Sequence, residues 1–159
     1  MKSAIKIMLF VALITIAGTF ISQAGDRDRF VVHPIQGTVL DTKTNLMWAA
    51  KDNHSDINWQ GAKVYCENFF AGDYRDWRLP TAAELASLYD TTQSRPAPCA
   101  GDFKIHVATP AIEITCFAHW TSDTQDNNAG QFSFVYGTSS PYLKSHTYGT
   151  RALPVRSHQ

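Results

Sequence analysis

The stretch DYRDWRLPTAAELASLYD, residues 73–90, constrains the fold of this chain more than any other feature. Thr81 and Glu84 have the T-x-x-E spacing of a capping box, in which each side chain binds a free backbone amide at the start of a helix. Pro80 stands directly before this cap and disfavours helical backbone upstream of it. The stretch therefore predicts a turn that leads into a helix with a fixed starting point.

The residues just before this cap predict a rigid corner. Trp77 and Leu79 are large apolar side chains, and Arg78 places a permanent charge between them. A buried Trp beside an Arg needs defined partners for its N–H groups. One interpretation is a corner that faces a ligand. We favour the structural alternative, in which Trp77 fills the core and Arg78 pairs with a carboxylate or with backbone carbonyls.

A second helix and several short strands are predicted around this corner. Apolar residues at helical spacing indicate a helix over about residues 59–69, capped by Asn58 or Asp56. Its buried stripe consists of Trp59, Ala62, Cys66 and Phe69. Strands are expected at residues 30–35, at a hairpin over 37–48, and at 116–121, 131–136 and 152–156. Irregular structure is expected at residues 91–110, a polar loop at 123–130 and a turn at 137–142. This pattern indicates an α+β fold with a mostly antiparallel sheet.

The first 24 residues have the pattern of a signal peptide. Lys2 and Lys6 precede an apolar run over residues 7–17, and Ser22-Gln23-Ala24 approximates a small-x-small cleavage site. We expect cleavage and one mature domain over residues 25–159; the alternative is a membrane anchor that stays attached. Cleavage would leave no membrane span and would place the protein in the bacterial periplasm, on the cell surface or outside the cell.

The slightly negative net charge of the chain after residue 24 is not that of a general nucleic-acid-binding protein. From Gly25 onward there are 12 Lys and Arg against 14 Asp and Glu, and the final 33 residues, 127–159, contain no acid. That end of the chain could present a weakly positive face to an anionic partner. The alternative is a set of ordinary solvated surface charges.

Three cysteines favour one disulfide and one remaining thiol in an oxidising compartment. We favour Cys99–Cys116, because that bridge would staple a proline-rich irregular segment. Cys66 would then be a buried free thiol, although a pairing of Cys66 with Cys116 stays open.

Five motifs in order resemble a known family. They are GTVLDTKTNLMW, AKVYCENF, DYRDWRLPTAAEL, HWTSDT and RALPVR. Together, over residues 37–156, they resemble the C-terminal domain of the Legionella collagen-like adhesin (the Lcl C-terminal domain). The resemblance implies a C-type-lectin-like fold, related to the formylglycine-generating enzyme, with two helices packed on a twisted, irregular antiparallel sheet. The family's structural signature would fall on Trp48, Trp77, Arg78, Pro80, Trp120 and Arg156.

The same resemblance implies an exported or surface binding module. In the adhesin, the corresponding domain is associated with binding of sulfated glycosaminoglycans. This chain has no collagen-like G-x-y repeat, so the adhesin's function does not carry over automatically.

The basic, aromatic end of the chain is our predicted ligand-binding site. Aromatic rings pack on sugar faces, and cations meet sulfate or carboxylate oxygens. The candidates are Tyr136, Tyr142, Lys144, His146, Tyr148 and Arg151. The alternative is that half of these rings belong to the core.

Two metal sites are weaker hypotheses. Calcium takes carboxylate and amide oxygens, which the loop offers through Asp123, Asp126, Asn127 and Asn128. An ordinary Asn-rich loop is the favoured interpretation. A zinc set could be drawn from Cys99, His106, Cys116 and His119, but a disulfide competes for both thiols.

Catalysis has little support in the sequence. G-x-S-x-G, H-E-x-x-H and P-loop motifs are absent, and no Cys follows Cys116, unlike the paired C-terminal cysteines of the formylglycine-generating enzyme. We expect no cofactor. The predicted function is an exported, non-catalytic binding module for glycans or anionic polymers at the cell envelope or in surface adhesion. The alternative is an envelope structural or assembly subunit that binds another protein.

Overall fold

The computed structural model describes residues 29–158. The predicted signal peptide, residues 1–24, lies outside these described residues. Within them the helices are α1 (Trp59–Glu67) and α2 (Ala82–Ser87). The strands are β1 (Phe30–His33), β2 (Thr38–Asp41), β3 (Leu46–Ala49), β4 (Arg95–Ala97), β5 (Ala100–Ile105), β6 (Ala118–Gln125), β7 (Asn128–Ser133), β8 (Thr138–Leu143), β9 (Thr150–Arg151) and β10 (Val155–Ser157).

Helix α2 begins at the predicted capping box. The Glu84 amide donates to the Thr81 hydroxyl at 3.1 Å, and the Thr81 amide donates to the Glu84 carboxylate at 2.7 Å. Both bonds satisfy amides that a helix start leaves free. Leu85 in this helix and Leu88 just after its end are fully buried. The local sequence therefore determines where α2 starts and which face it buries.

The Trp77 corner joins α2 to the last strand. Trp77 is only 2% exposed and meets Phe69 edge-on, with ring centroids 5.1 Å apart. The Arg78 guanidinium donates two bonds to the Glu84 carboxylate, at 2.7 and 2.8 Å. The backbones of Arg78 and Val155 also exchange two hydrogen bonds, at 2.9 and 3.0 Å. The corner thus has a structural role, with Arg78 held by a carboxylate and its backbone by β10. The expectation of a partner for the Trp77 ring N–H is wrong, because its Nε1 hydrogen-bonds to no other group in the described residues.

The first sheet carries both ends of the described chain. Strands β1, β2, β3 and β10 pair in that order, all antiparallel. Arg156 on β10 donates two bonds to the Asp76 carboxylate and lies over the Tyr74 ring, 3.8 Å from its centroid. Trp48 on β3 is fully buried in the main core. The terminal strand is therefore tied both to the hairpin and to the loop before the corner.

The second sheet has the order β8-β7-β6-β9, in which only the β6–β9 pair is parallel among the described strands. Trp120 on β6 packs with Ala62 and Cys66 of α1. The Trp59 ring N–H of α1 donates to the Thr121 carbonyl at 2.9 Å. Helix α2 contacts the same sheet through β6, β7 and β8. Both helices therefore pack on this sheet.

Three predictions for loops and turns are wrong. Residues 91–110 contain the hairpin β4–β5, and residues 123–130 contain the end of β6 and the start of β7. Residues 137–142 belong mostly to β8. Strand β8 is exposed along its whole length, so it lacks the alternation of apolar and polar residues that indicates a strand. Its backbone bonds to β7 decide its conformation.

The disulfide prediction is confirmed. Cys99 and Cys116 are bonded, with Cα atoms 5.1 Å apart, and tie the β4–β5 hairpin to the segment before β6. Cys66 is buried and free, and burial raises the pKa of its thiol. The architecture is α+β with two helices on mostly antiparallel sheets in the described residues. The more specific C-type-lectin-like fold stays a prediction.

Candidate functional site

A surface groove of about 470 Å³ lies on the second sheet. Its floor follows from strand register, because directly paired residues share a face. One row across β6, β7 and β8 consists of Ala118, Ser133 and Thr138. In the neighbouring row, Gln131 of β7 pairs with Ser140 of β8. All of these side chains line the groove. The floor is therefore made of small and polar groups. Trp120 lies in the same row as Gln131 but is buried against α1, and Phe132 points to the opposite face of the sheet.

Aromatic side chains form the walls of the groove. Phe117 is central, with its ring centroid 5.3 Å from Phe103 and 6.4 Å from Tyr148. Tyr148 is 72% exposed, and Tyr136 and Tyr142 are exposed as well. Aromatic rings at an open surface, above a polar floor, offer flat apolar faces next to hydrogen-bonding groups.

Gly149 fixes the position of Phe117. A Cβ atom on Gly149 would lie 2.2 Å from the Phe117 ring, and the residue has a φ of +68°. Only glycine adopts this backbone conformation without cost and leaves room for the ring. The Phe117 ring therefore packs directly against the backbone of Gly149, the residue that follows Tyr148.

Gln131 is the polar group on the floor that lacks a partner. Its side chain is nearly buried, with the residue 5% exposed, and its amide Nε2 hydrogen-bonds to no other residue in the described range. A buried amide without a partner costs free energy that one hydrogen bond would recover. The Gln131 side chain lines the groove, although its Nε2 atom is itself buried.

Four of the six predicted ligand residues lie together in this groove: Tyr136, Tyr142, His146 and Tyr148. The His146 ring lies 5.2 Å from the Tyr142 ring, and its Nε2 hydrogen-bonds the Tyr148 carbonyl at 3.1 Å. His146 thus links β8 to the segment before β9. None of these four rings belongs to the core in the part of the chain that the structure describes.

The two predicted cations lie elsewhere. The Lys144 ammonium donates to the Asp126 carbonyl at 2.7 Å and lies 4.9 Å from the centroid of the Trp59 ring. Arg151 is 7% exposed and pairs with the Asp56 carboxylate. The residues that line the groove within residues 29–158 include neither Lys nor Arg.

The sequence interpretation missed eight of the twelve groove residues, and three of these eight matter most for the site: Phe103, Phe117 and Gln131. Phe103 lies in the segment predicted to be irregular, so nothing indicated its direction. Gln131 could have been found, because strand alternation puts it on the face opposite the buried Phe132. Phe117 precedes β6 and carries no local signal of its own.

A buried polar network lies beneath the second sheet. His119 Nε2 donates to the Asp52 carboxylate at 3.2 Å, and both side chains have no exposed area. The amide and the hydroxyl of Thr115 each donate to the same carboxylate at 2.7 Å. Burial raises the pKa of Asp52, but hydrogen bonds from His119 and Thr115 outweigh it and lower the pKa to about 2. This charged group is therefore held by its partners and is out of reach of a substrate.

The side chains proposed as calcium or zinc ligands are not assembled into a metal site in the described residues. Cys99 and Cys116 are in the disulfide, and the His119 ring binds Asp52. Asp123 accepts a bond from the Ala82 amide at 2.7 Å, which satisfies the start of α2. Asp126 has a φ of 51° in the β6–β7 turn. Over residues 29–158, no group of three or more His, Cys, Asp or Glu side chains could hold a metal ion.

These features define a small disulfide-bonded α+β domain with an aromatic groove at its surface. Residues 37–156 match the model of the Lcl C-terminal domain, and the chain belongs to that family. No curated protein matches the chain significantly. The described residues contain no helix with the length and hydropathy needed to cross a membrane. Membership of this family, together with the disulfide, indicates an exported, adhesion-related surface module.

Proposed function

We propose that this domain is a non-catalytic module that binds a neutral glycan in the groove on the second sheet. The observation that carries the proposal is the combination of exposed Tyr rings with the unpartnered amide of Gln131 in one cavity. Sugar rings present C–H faces that pack on aromatic rings, and hydroxyls that satisfy polar groups. The groove offers both kinds of contact.

A neutral ligand is favoured over an anionic polymer. Lys144 and Arg151, the cations that would meet sulfate or carboxylate groups, are engaged with Asp126, Trp59 and Asp56. Neither cation lines the groove, so among the described residues the groove offers a polyanion no cation of its own. Binding to a neutral sugar should change little with ionic strength, whereas binding to a polyanion should weaken steeply as salt is added.

Absence of catalysis is part of the proposal. Asp52 and His119, the acid–base pair with the strongest mutual contact, are enclosed in the core. A catalytic acid or base must come within hydrogen-bond reach of its substrate. The groove itself presents hydroxyls, an amide and His146, whose ring is occupied by Tyr142 and the Tyr148 carbonyl.

Export is the remaining part of the proposal, supported by the signal-peptide pattern at residues 1–24 and by the disulfide. Expression of the full chain in a bacterium, followed by cell fractionation and intact-mass measurement, tests it. A mature mass that starts at Gly25, outside the cytoplasm, is expected. An unprocessed chain in the cytoplasm would contradict export.

The test of glycan binding is a glycan array followed by titration of the bound glycan. Tyr148→Ala should weaken binding by about 10-fold or more, because it removes one stacking face worth about 1.4 kcal/mol. Ile35→Ala is the matched control, since Ile35 is fully exposed and lies outside the groove. Equal affinity of both variants and the wild type would remove the groove as the binding site.

A second candidate is binding to an envelope protein. Val31, Val32 and Ile35 are exposed apolar residues in and just after β1, which is an edge of the first sheet within the described residues. A free strand edge beside apolar side chains can pair with a strand of another protein. The same two variants separate the candidates: in pull-down from envelope extracts, Ile35→Ala should lose a protein partner that Tyr148→Ala retains.

A further inference from the structure

We infer that the groove continues past Phe117 and Tyr148 into a second subsite, in which Arg151 and Asp56 bind hydroxyls of a second sugar unit. The ligand would then be a neutral disaccharide or a longer glycan. This inference rests on the glycan-binding function proposed above and adds the length of the ligand and the polar groups that recognise it.

The first observation is that the two cavities share a wall. A second cavity of about 390 Å³ is lined by Phe117 and Tyr148, which also line the groove. Its remaining lining comes from the Cys99–Cys116 disulfide, Gly149 and the Arg151–Asp56 pair. The two cavities therefore adjoin at these rings, and a chain of sugar units that extends over Phe117 or Tyr148 would contact both.

The second observation is the hydrogen-bonding capacity left in this cavity. Arg151 uses Nε for the Thr115 hydroxyl at 3.1 Å and Nη1 for Asp56 and the Thr150 carbonyl. Its Nη2 donates to no residue in the range 29–158. Asp56 uses Oδ1 for Arg151 and for the Gly149 amide, and its Oδ2 accepts from no residue in that same range. The Arg151 Nη2 donor and the Asp56 Oδ2 acceptor of the same ion pair thus remain available to a ligand.

Neighbouring hydroxyls on one sugar ring match such a pair. One hydroxyl oxygen accepts from the Arg151 guanidinium while the next hydroxyl donates to the Asp56 carboxylate. The charges of the two residues offset each other, so an acidic sugar would gain from Arg151 and be repelled by Asp56. The pair therefore favours a neutral unit, in agreement with the absence of Lys and Arg from the groove lining in the described residues.

The pair is also held ready for binding. Arg151 is 7% exposed, and Thr115, which accepts from it, is itself bound to the buried Asp52 carboxylate. The Asp56 side chain, by contrast, is 46% exposed and can be reached by a ligand. Because Arg151 has little freedom to lose, binding at this point costs little ordering entropy.

The experiment compares monosaccharides with disaccharides. Uniformly ¹⁵N-labelled protein is titrated with glucose, galactose and N-acetylglucosamine, and then with maltose, cellobiose, lactose and N,N′-diacetylchitobiose. The signals to follow are the Gly149 amide and the Arg151 Nε–H. We expect a disaccharide that binds about 10-fold or more tighter than its constituent units and that shifts both signals. The single units should leave the Arg151 signal in place.

A variant pair separates the two subsites. Asp56→Ala should reduce disaccharide affinity more than single-unit affinity, so that the advantage of the second unit is lost; circular dichroism checks that the variant is folded. Tyr136→Ala, at a residue that lines the groove and not the second cavity, should weaken the binding of single units and disaccharides alike.

Each failure has a distinct signature. Equal affinities for single units and disaccharides, both sensitive to Tyr136→Ala, would overturn the second subsite and keep the glycan-binding function. No Tyr-dependent binding of any probe would overturn both. If Asp56→Ala fails to fold, the shift of the Arg151 Nε–H signal in the wild type decides the matter alone.

Discussion

The Trp77 corner and the surface groove both combine aromatic rings with polar groups, yet they are built in opposite ways. At the corner, Trp77 is buried and Arg78 is held by two bonds to Glu84. In the groove, Tyr148 is exposed and the Gln131 amide is unpartnered within the described chain. The ring N–H of Trp77 is also without a partner in the described residues, but Trp77 does not line the groove. The comparison teaches that the most distinctive residues of the sequence stabilise the fold by packing and ion pairs, whereas the groove sets exposed rings beside a polar group that a ligand can use.

The largest effect expected is at the corner. Trp77→Ala should lower the free energy of unfolding by about 3–5 kcal/mol, the usual range for truncating a buried large aromatic residue. Urea denaturation measures this change. Tyr148→Ala is the matched aromatic variant from the groove and should change the free energy of unfolding by no more than about 0.5 kcal/mol. If Trp77→Ala and Tyr148→Ala lose similar amounts of unfolding free energy, the contrast between a stabilising corner and a ligand-binding groove is wrong.

Reduction of the disulfide should lower both the stability of the fold and the affinity of the groove. The Cys99–Cys116 bridge closes a loop over a sequence separation of 17 residues and lines the second cavity. Its loss should lower the free energy of unfolding by about 3 kcal/mol. It should also weaken glycan binding, because the bridge supports the segment that carries Phe117. Denaturation curves with and without reductant give the first value.

Alkylation checks the same pairing independently. The unfolded, unreduced protein should carry one label, on Cys66, by mass spectrometry. Three labelled cysteines would show that the bridge is absent.

Acidification should destabilise the fold by protonating Asp52, which binds His119 and Thr115 below the second sheet. The folded-state pKa of Asp52 is about 2, against an ordinary value of 3.8. The carboxylate therefore stabilises the fold above about pH 4, and this contribution is lost as the pH falls from about 4 to 2. The difference corresponds to about 2 kcal/mol. Asp52→Asn should flatten the dependence of unfolding free energy on pH in this window. If the unfolding free energy of Asp52→Asn depends on pH between about 4 and 2 as steeply as that of the wild type, Asp52 is not the group responsible.

The smallest effect on stability should come from Gln131. Gln131→Leu should leave the free energy of unfolding unchanged or raise it by up to about 1 kcal/mol, because it removes a buried amide without a partner. The same variant should lose glycan affinity. A clear loss of stability would show that Gln131 has a structural partner, and the contrast with the Trp77 corner would then weaken.

Much of the fold was predictable because its signals are local. The capping box of Thr81 and Glu84 predicted the start of α2, and helical spacing predicted α1 to within two residues of its end. Strand β8 and the β4–β5 hairpin were missed because their exposed side chains carry no periodic pattern. Four aromatic groove residues were named from composition alone, whereas Lys144 and Arg151 were placed with them only because they are close in sequence.

The sequence by itself determined the corner, both helices and the family, since caps, spacing and ordered motifs depend on neighbours along the chain. Only the tertiary structure decided the groove. Its floor depends on the register of β6, β7 and β8, and its wall depends on Gly149 meeting Phe117 across 32 residues of chain. Such contacts form between distant segments, so no local pattern of residues encodes them.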